Sequence, residues 1–278
     1  MGRLLKLLIF DLDGVITTEA SYWNIARQGV VRILGLTEGD SLPLEFIYWI
    51  KNHAINHNWD VAFVALSAVG GVEEFQARRE LLTGRALLES CEGYRGVAWK
   101  RVHEVCQEIQ DASPLPAEGL HSPAEMAGLF ASLAERGFDF AVATGRPKAE
   151  ALAPLDYLGI RAYFPENRII THLEVQIAER EAGVPLGKPH PFVVLRAIYP
   201  EMPLAELLTM PFERRARVWF IGDTASDVGA ASAAGVSAIG VLGALPPGIY
   251  REQRRKTLGE LGCATMLDSV LDLPGVLA

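Results

Sequence analysis

The sequence predicts an α/β fold, a Rossmann-like, doubly wound parallel sheet that carries an inserted helical module. Short apolar runs that end in acidic or hydroxyl residues occur at the N-terminus and through the second half, where they alternate with helical patterns. Between them lie roughly a hundred residues with the apolar spacing of helices. We therefore expect a core of 1–17 and 117–278, a helical module of 18–116, and the proline-containing stretch 113–116 as the return linker.

The first strand is predicted by the segment LLIFDLDGV, which begins at Leu7. Its apolar run has no polar break, as expected for a strand buried on both faces. Asp11 and Asp13 then lie at the carboxyl end of the strand, and alternate residues of an extended chain face the same way. Gly14 allows the chain to turn away. In open α/β sheets ligands bind at this edge, so the two carboxylates are candidate site residues.

The second half begins with a helix whose start is marked by its capping residues. Ser122 is the predicted cap, Pro123 the first helical residue and Glu125 the third, and the helix is expected to run to Gly137. The strand FDFAVA, residues 138–143, follows.

That strand ends in Thr144, Gly145 and Arg146, and Pro147 is expected to open a helix that ends near Leu158. A strand-to-helix turn of this kind offers a hydroxyl, backbone amides and the positive end of a helix together. These groups form a binding site for an anion such as phosphate.

Two later segments place further charged residues at this edge. The segment GKPHP, residues 187–191, is predicted to start a helix and to put Lys188 where that helix begins. A strand at Val218 to Ile221 runs into Asp223 and Asp227, followed by an alanine-rich helix up to residue 235. A strand at 238–241, then a last helix and a strand ending near residue 267, complete the sheet.

Several carboxylates crowded at one edge would repel one another unless a cation joined them. Oxygen ligands of this kind select Mg²⁺, which also neutralises phosphate oxygens. Thr144 and Lys188 would supply a hydrogen-bond donor and positive charge to a phosphoryl group. The predicted site therefore holds a phosphate beside a carboxylate nucleophile.

The four segments DLDGV, VATGRP, GKPHP and IGDTASDVGAASAAGV resemble, in this order, the four motifs of the haloacid dehalogenase superfamily. The likeness is to its phosphatase and phosphoglucomutase-like branch and extends over essentially the whole chain. It implies a Rossmann-like core and a helical cap domain inserted after the first motif, which agrees with the module at 18–116.

The resemblance also implies roles for these residues. Asp11 would attack phosphorus and form an aspartyl-phosphate, and an ordinary pKa of roughly 4 would leave it ionised at neutral pH. Asp13 would protonate the leaving oxygen and then activate water. Magnesium would be bound by Asp11, the backbone carbonyl of Asp13 and Asp223, with Asp227 nearby to orient the ligands or Lys188.

On the phosphate side, the resemblance implies that Thr144, Gly145 and Lys188 bind the phosphoryl group. Arg146 is a candidate substrate contact because it adjoins this position. Asp13 favours phosphoryl transfer over carbon–halogen cleavage, since the dehalogenases of this superfamily lack that second acid.

The expected function is a magnesium-dependent phosphatase that acts on a small phosphorylated metabolite. A sugar-phosphate mutase of the same superfamily is an alternative, because it shares these motifs. A catalytically silent protein that binds a phosphorylated ligand is a second alternative. A silent member would be expected to have lost one of Asp11, Asp13, Lys188 or Asp223, and the chain has all four.

Composition narrows the classes of partner and the cellular location that the protein is expected to have. A net charge of −8 argues against a nucleic-acid partner, and the basic residues of 251–256 are interpreted as a solvated helix face. The chain has three widely spaced cysteines and no apolar run of about 20 residues. These features predict a cytoplasmic protein without a membrane partner, and the oligomeric state stays open.

Two groups of polar residues in the helical module could have a functional role or could be ordinary polar surface. His53 and His57 are four apart and could share a metal, but the glutamate of a zinc-protease helix is missing. Lys100, Arg101 and His103 could contact an anionic substrate. Both groups are interpreted as polar surface.

Overall fold

The computed structural model describes residues 6–36, 43–55, 57–112 and 118–277. The chain divides into two compact units, which we call the core unit (1–18 with 117–278) and the helical unit (19–116). The expected return linker at 113–116 lies outside the described residues.

In the described residues, six strands form one sheet in which every neighbouring pair is parallel. The strands are β1 (Leu7–Phe10), β2 (Asp139–Ala143), β3 (Ile169–Ile170), β4 (Val218–Gly222), β5 (Ser237–Val241) and β6 (Thr265–Leu267). Their spatial order is β3-β2-β1-β4-β5-β6, with β1 between β2 and β4. The predicted doubly wound parallel sheet is confirmed.

The helices follow in chain order. In the described residues they are α1 (Ala20–Leu34), α2 (Leu44–Asn52), α3 (Asn58–Ser67), α4 (Val72–Arg79), α5 (Gly84–Glu89), α6 (Trp99–Ala112), α7 (Pro123–Glu135), α8 (Lys148–Tyr157), α9 (His172–Ala182), α10 (Phe192–Ile198), α11 (Leu204–Leu208), α12 (Ala225–Ala233) and α13 (Ile249–Glu260). None of these helices combines the length and the apolar character needed to span a bilayer.

Strand β1 is buried on both faces, and its alternate side chains enter two different apolar clusters. Leu8 and Phe10 belong to a cluster rich in aromatic residues, whereas Leu7 and Ile9 belong to a cluster on the other face. The ring of Phe130 on α7 packs against Phe10 with centroids 5.2 Å apart. An apolar strand without a polar break is therefore the pattern that this central position requires.

The predicted start of α7 is confirmed, because Ser122 and Glu125 form a reciprocal capping box with Pro123 at the first turn. The predicted helix start at Gly187 is wrong. Residues 187–191 form a turn and α10 begins only at Phe192. The two prolines of GKPHP lack the N–H groups that helical hydrogen bonds need, so they delay the helix.

The helical unit has its own buried interior. Phe46, Trp49 and Phe75 pack together, with Phe46 and Trp49 stacked at 5.6 Å and Phe75 edge-on to both. Lys51 is buried and its ammonium lies 2.5 Å from a carboxylate oxygen of Glu19. Burial of this cation is tolerated because a carboxylate pairs with it.

Phe130 provides a test of the core. Its ring also lies 5.0 Å from Phe140 and 5.3 Å from Phe164, and the side chain is fully buried. We expect Phe130→Ala to lower the free energy of unfolding by about 3–5 kcal/mol, since it removes apolar contacts and leaves a cavity. Urea denaturation followed by circular dichroism measures this, with Tyr157→Ala, at an exposed aromatic, as the control. A loss below about 1 kcal/mol would contradict the packing described.

Candidate active site

Asp11 directly follows β1 and is held at the carboxyl edge of the sheet. Its backbone N–H donates to the carbonyl of Ile221 on β4 at 2.9 Å, which continues the sheet pairing by one residue. One carboxylate oxygen accepts the N–H of Leu12 at 2.8 Å. The side chain is buried, so its charge requires compensation inside the protein.

Lys188 supplies that compensation. Its ammonium lies 3.0 Å from Oδ2 of Asp11 and 2.7 Å from Oδ1 of Asp227. It also donates to the carbonyl of Ala143 at the end of β2, at 3.4 Å. Burial alone would lower the pKa of Lys188, but the two carboxylates raise it above its ordinary value, so the side chain is a cation.

Burial raises the pKa of Asp11 to about 7. The Lys188 ammonium opposes this shift, and the Asp227 carboxylate adds to it. The expectation of an ordinary pKa near 4 was therefore wrong, because the sequence does not show how completely the carboxylate is removed from water. A second cation beside Asp11 would favour its ionised form.

Asp223 and Asp227 reach the same place from the junction of β4 and α12. Asp227 is the third residue of a capping box, and its Oδ2 accepts the Thr224 hydroxyl at 2.6 Å and the N–H of Asp223 at 3.2 Å. Asp11, Asp223 and Asp227 bring carboxylate oxygens within 4.8 Å of one another. Three buried carboxylates with hard oxygen donors suit a divalent cation of the Mg²⁺ kind.

Gly14 permits the close approach of the first turn to this cluster. Its φ is +76°, and a Cβ placed there would lie 2.4 Å from Cγ and Oδ2 of Asp223. Gly222, the last residue of β4, is equally constrained, since a Cβ would lie 2.4 Å from Cβ of Asp227. Glycine at these positions allows two backbone segments to approach the carboxylates.

Asp13 lies outside the three-carboxylate group and is held by Arg146. The guanidinium donates through Nε to both carboxylate oxygens at 3.1 Å and through Nη2 to Oδ1 at 2.5 Å. Nη2 also donates to the hydroxyl of Thr17 at 2.9 Å. Arg146, the candidate substrate contact, thus binds Asp13, the candidate acid. The Arg146 side chain is only 9% exposed.

The predicted phosphate residues follow β2. Thr144 is buried, and its hydroxyl accepts the backbone N–H of Arg146 at 3.2 Å. Gly145 is exposed, and the helix that follows, α8, begins at Lys148 with Pro147 as its cap. The turn therefore presents backbone donors at the start of a ten-residue helix.

Comparison with known proteins identifies the family. The sequence model of the haloacid dehalogenase-like hydrolase family matches residues 5–235, which is most of the chain. The chain belongs to this family. The search of curated proteins gave no match.

Three solved structures illustrate the likeness. A structural-genomics target is 20% identical over 98% of both chains, with a TM-score of 0.68. A predicted phosphoglycolate phosphatase from Haemophilus somnus is 17% identical over 99% of this chain and 98% of that one, with a TM-score of 0.56. A haloacid dehalogenase family hydrolase from Deinococcus radiodurans, with bound phosphate and sodium, is 19% identical over 97% and 93%, with a TM-score of 0.53. At these identities the likeness concerns the fold.

Arg254 is a site residue that the sequence analysis missed. It lies on α13, is 5% exposed, and its Nη1 donates to the carbonyl of Asp223 at 2.5 Å and to Oδ2 at 3.2 Å. The expectation of a solvated basic face is wrong at this position. The sequence does contain a signal for the burial of Arg254. Leu258 lies four residues later, which places both residues on the same, buried side of the helix.

Gly14→Ala tests the close approach in this haloacid dehalogenase-like site. The added methyl group must displace the Asp223 carboxylate or shift the turn, so we expect affinity for a divalent cation to fall by about tenfold or more. Calorimetric titration with Mg²⁺ measures this. Gly128→Ala is the matched control, because a Cβ there meets no atom within 4 Å. Equal affinities in the two variants would show that the turn relaxes without cost to the cluster.

Proposed function

We propose that this haloacid dehalogenase-like hydrolase is a magnesium-dependent phosphatase that hydrolyses a small phosphorylated metabolite through an aspartyl-phosphate. One observation carries the proposal. Asp11 is a buried carboxylate that lies 3.0 Å from the Lys188 ammonium and shares a cluster with Asp223 and Asp227, and a second acid, Asp13, follows two residues later. This combination provides a nucleophile, positive charge and a proton donor.

In the first half-reaction, a carboxylate oxygen of Asp11 attacks phosphorus. The bond between phosphorus and the leaving oxygen breaks, and that oxygen takes a proton from the Asp13 carboxyl group. The products are the dephosphorylated alcohol and an aspartyl-phosphate on Asp11.

In the second half-reaction, water attacks phosphorus of the aspartyl-phosphate while Asp13, now ionised, accepts a proton from it. The phosphorus–Asp11 bond breaks, inorganic phosphate leaves, and both aspartates return to their starting states. Arg146 contacts both oxygens of Asp13 and is proposed to keep that carboxyl group oriented in both steps. Direct contact of Arg146 with substrate stays a prediction.

Mg²⁺ would be held by Asp11, Asp223 and the backbone carbonyl of Asp13. Asp227 lies nearby and would orient these ligands or Lys188. When bound, the ion would neutralise phosphate oxygens and the crowded carboxylates. The donor set fits, because the three carboxylates of the cluster present only oxygen. Lys188 would offset negative charge on Asp11 and the phosphoryl group, and Thr144 with the amide of Gly145 would bind a phosphate oxygen.

The compared structures support this choice of substrate class, since one is named a predicted phosphoglycolate phosphatase and another holds phosphate. We propose that the helical unit is the cap domain of this family and selects the metabolite. We further propose that the protein acts in the cytoplasm without a nucleic-acid or membrane partner, in keeping with its net charge of −8.

Phosphate release from a panel of sugar, nucleotide and glycolytic phosphates, with and without Mg²⁺, tests the function. Asp11→Asn is nearly isosteric but lacks the nucleophilic charge, so we expect kcat to fall by about 10³-fold or more with the fold retained. The matched control is Asp156→Asn, an exposed position on α8, which should retain wild-type activity. A mutant at position 11 with more than a few per cent of wild-type activity would exclude the proposed nucleophile.

Asp13→Asn tests the acid and base roles. The variant should slow turnover by about 10²–10⁴-fold, because proton transfer is lost in both half-reactions. With a good leaving group that needs no proton, the first half-reaction proceeds and the aspartyl-phosphate should accumulate, which mass spectrometry detects as a phosphorylated protein. Absence of that species with such a substrate would contradict the role of Asp13 in hydrolysis. Interconversion of sugar-phosphate isomers in place of phosphate release would indicate the mutase.

A further inference from the structure

A second cluster of metal-ligating side chains lies in the helical unit, outside the candidate active site. His57 is the capping residue of α3, Asp60 is in the first turn of that helix, and His103 is on α6. Each offers one ligand atom, and these atoms lie within 4.8 Å of one another. His57 and His103, which the sequence analysis treats in two separate polar groups, therefore lie close together.

His53 and His57, the pair considered from the sequence as a possible metal site, do not lie on one helix. Helix α2 ends at Asn52, and Ala54 adopts a φ of +61°, so no continuous helix joins the two histidines. His53 instead lies 2.7 Å through Nδ1 from the carbonyl of Trp49 and 3.2 Å through Nε2 from that of Glu80.

Asp60 and His103 are already oriented toward each other. Nε2 of His103 lies 2.7 Å from Oδ1 of Asp60, which also accepts the indole N–H of Trp99 at 2.7 Å. These two hydrogen bonds hold the Asp60 carboxylate in one orientation.

The two imidazoles are stacked beside this carboxylate. Their centroids are 4.9 Å apart with an angle of 16° between the rings. Nδ1 of His57 accepts the backbone N–H of Trp59 at 3.2 Å, so the neutral ring carries its proton on Nε2. Metal binding through either nitrogen of His57 therefore gives up this hydrogen bond.

The surroundings favour a cation. His57 and His103 line a surface groove of about 540 Å³ whose other walls include Glu104, Glu108 and Asp111. The two rings are stacked, so one of them must rotate before both can point a nitrogen at one ion. His57 is exposed, and its ring is the one with room to rotate. The groove supplies access from solvent and room for water at the open coordination positions.

We propose that His57, Asp60 and His103 form a binding site for Zn²⁺ or a similar late first-row divalent ion, which links α3 to α6 within the helical unit. Two imidazoles and one carboxylate are the donors that such ions prefer over Mg²⁺. Binding replaces the hydrogen bond between His103 and Asp60, and any proton held on a ligand nitrogen is released to solvent. The proposal is independent of the phosphatase proposal.

The test is calorimetric titration of the chelator-treated full-length chain with Zn²⁺, in excess Mg²⁺ so that the oxygen-only cluster in the core unit is occupied. We expect one equivalent of Zn²⁺ to bind, and His103→Gln and Asp60→Asn each to weaken it by about 100-fold or more. His172→Gln, at an exposed histidine on α9, should bind as the wild type does. Binding that is absent, or unchanged in His103→Gln, would overturn the proposal and leave a hydrogen-bonded cluster only.

A measurement on the wild type keeps the test independent of how the variants fold. Ring ¹⁵N chemical shifts of the six histidines report which nitrogens gain a metal. We expect Zn²⁺ to move the signals of two rings, those of His57 and His103, and to leave the others in place. Shifts confined to other histidines, or no shifts, would refute the site.

Discussion

The ion pairs of the Lys188 ammonium are the interactions on which the candidate active site depends, and the lysine side chain is 14% exposed. It lies between Asp11 and Asp227, two buried carboxylates that are distant in sequence and would otherwise repel each other. Removing one member of a buried ion group typically costs about 3–5 kcal/mol because the remaining charge is left uncompensated. The same ammonium donates to the end of β2, so the electrostatic balance also fixes the carboxyl edge of three neighbouring strands.

The other two site carboxylates repeat this arrangement with arginine. Arg146 donates hydrogen bonds to Asp13, and Arg254 donates to Asp223. Each acid therefore has a basic partner from a different segment, and the planar arginines hold their partners in a fixed orientation. Such a site tolerates a dense group of negative oxygens and still gathers them around one point. A bound phosphate dianion would meet a preorganised environment in which positive charge needs little rearrangement.

Much of the candidate site could be predicted from the sequence, because the positions of its residues are encoded locally. The aspartates at the end of β1, the hydroxyl after β2 and the two aspartates after β4 are each set by a strand, a turn and a few neighbouring residues. Contacts between distant segments were not accessible. The pairing of Arg146 with Asp13 and the burial of Arg254 depend on strand order and on the packing of α13, and the two-residue edge strand β3 is too short for periodicity to detect.

The two proposed cation sites differ in the chemistry of their donors, and that difference would allow both to be occupied. Asp11, Asp223 and Asp227 offer only oxygen and are buried at the sheet edge, which suits an ion that prefers hard ligands. His57 and His103 offer nitrogen beside a single carboxylate at a solvent-accessible groove. Because first-row divalent ions rank far above Mg²⁺ at imidazole, a cell in which Mg²⁺ is abundant and Zn²⁺ scarce would load each site with its own ion. The helical unit would then be stabilised by an ion that takes no part in the reaction.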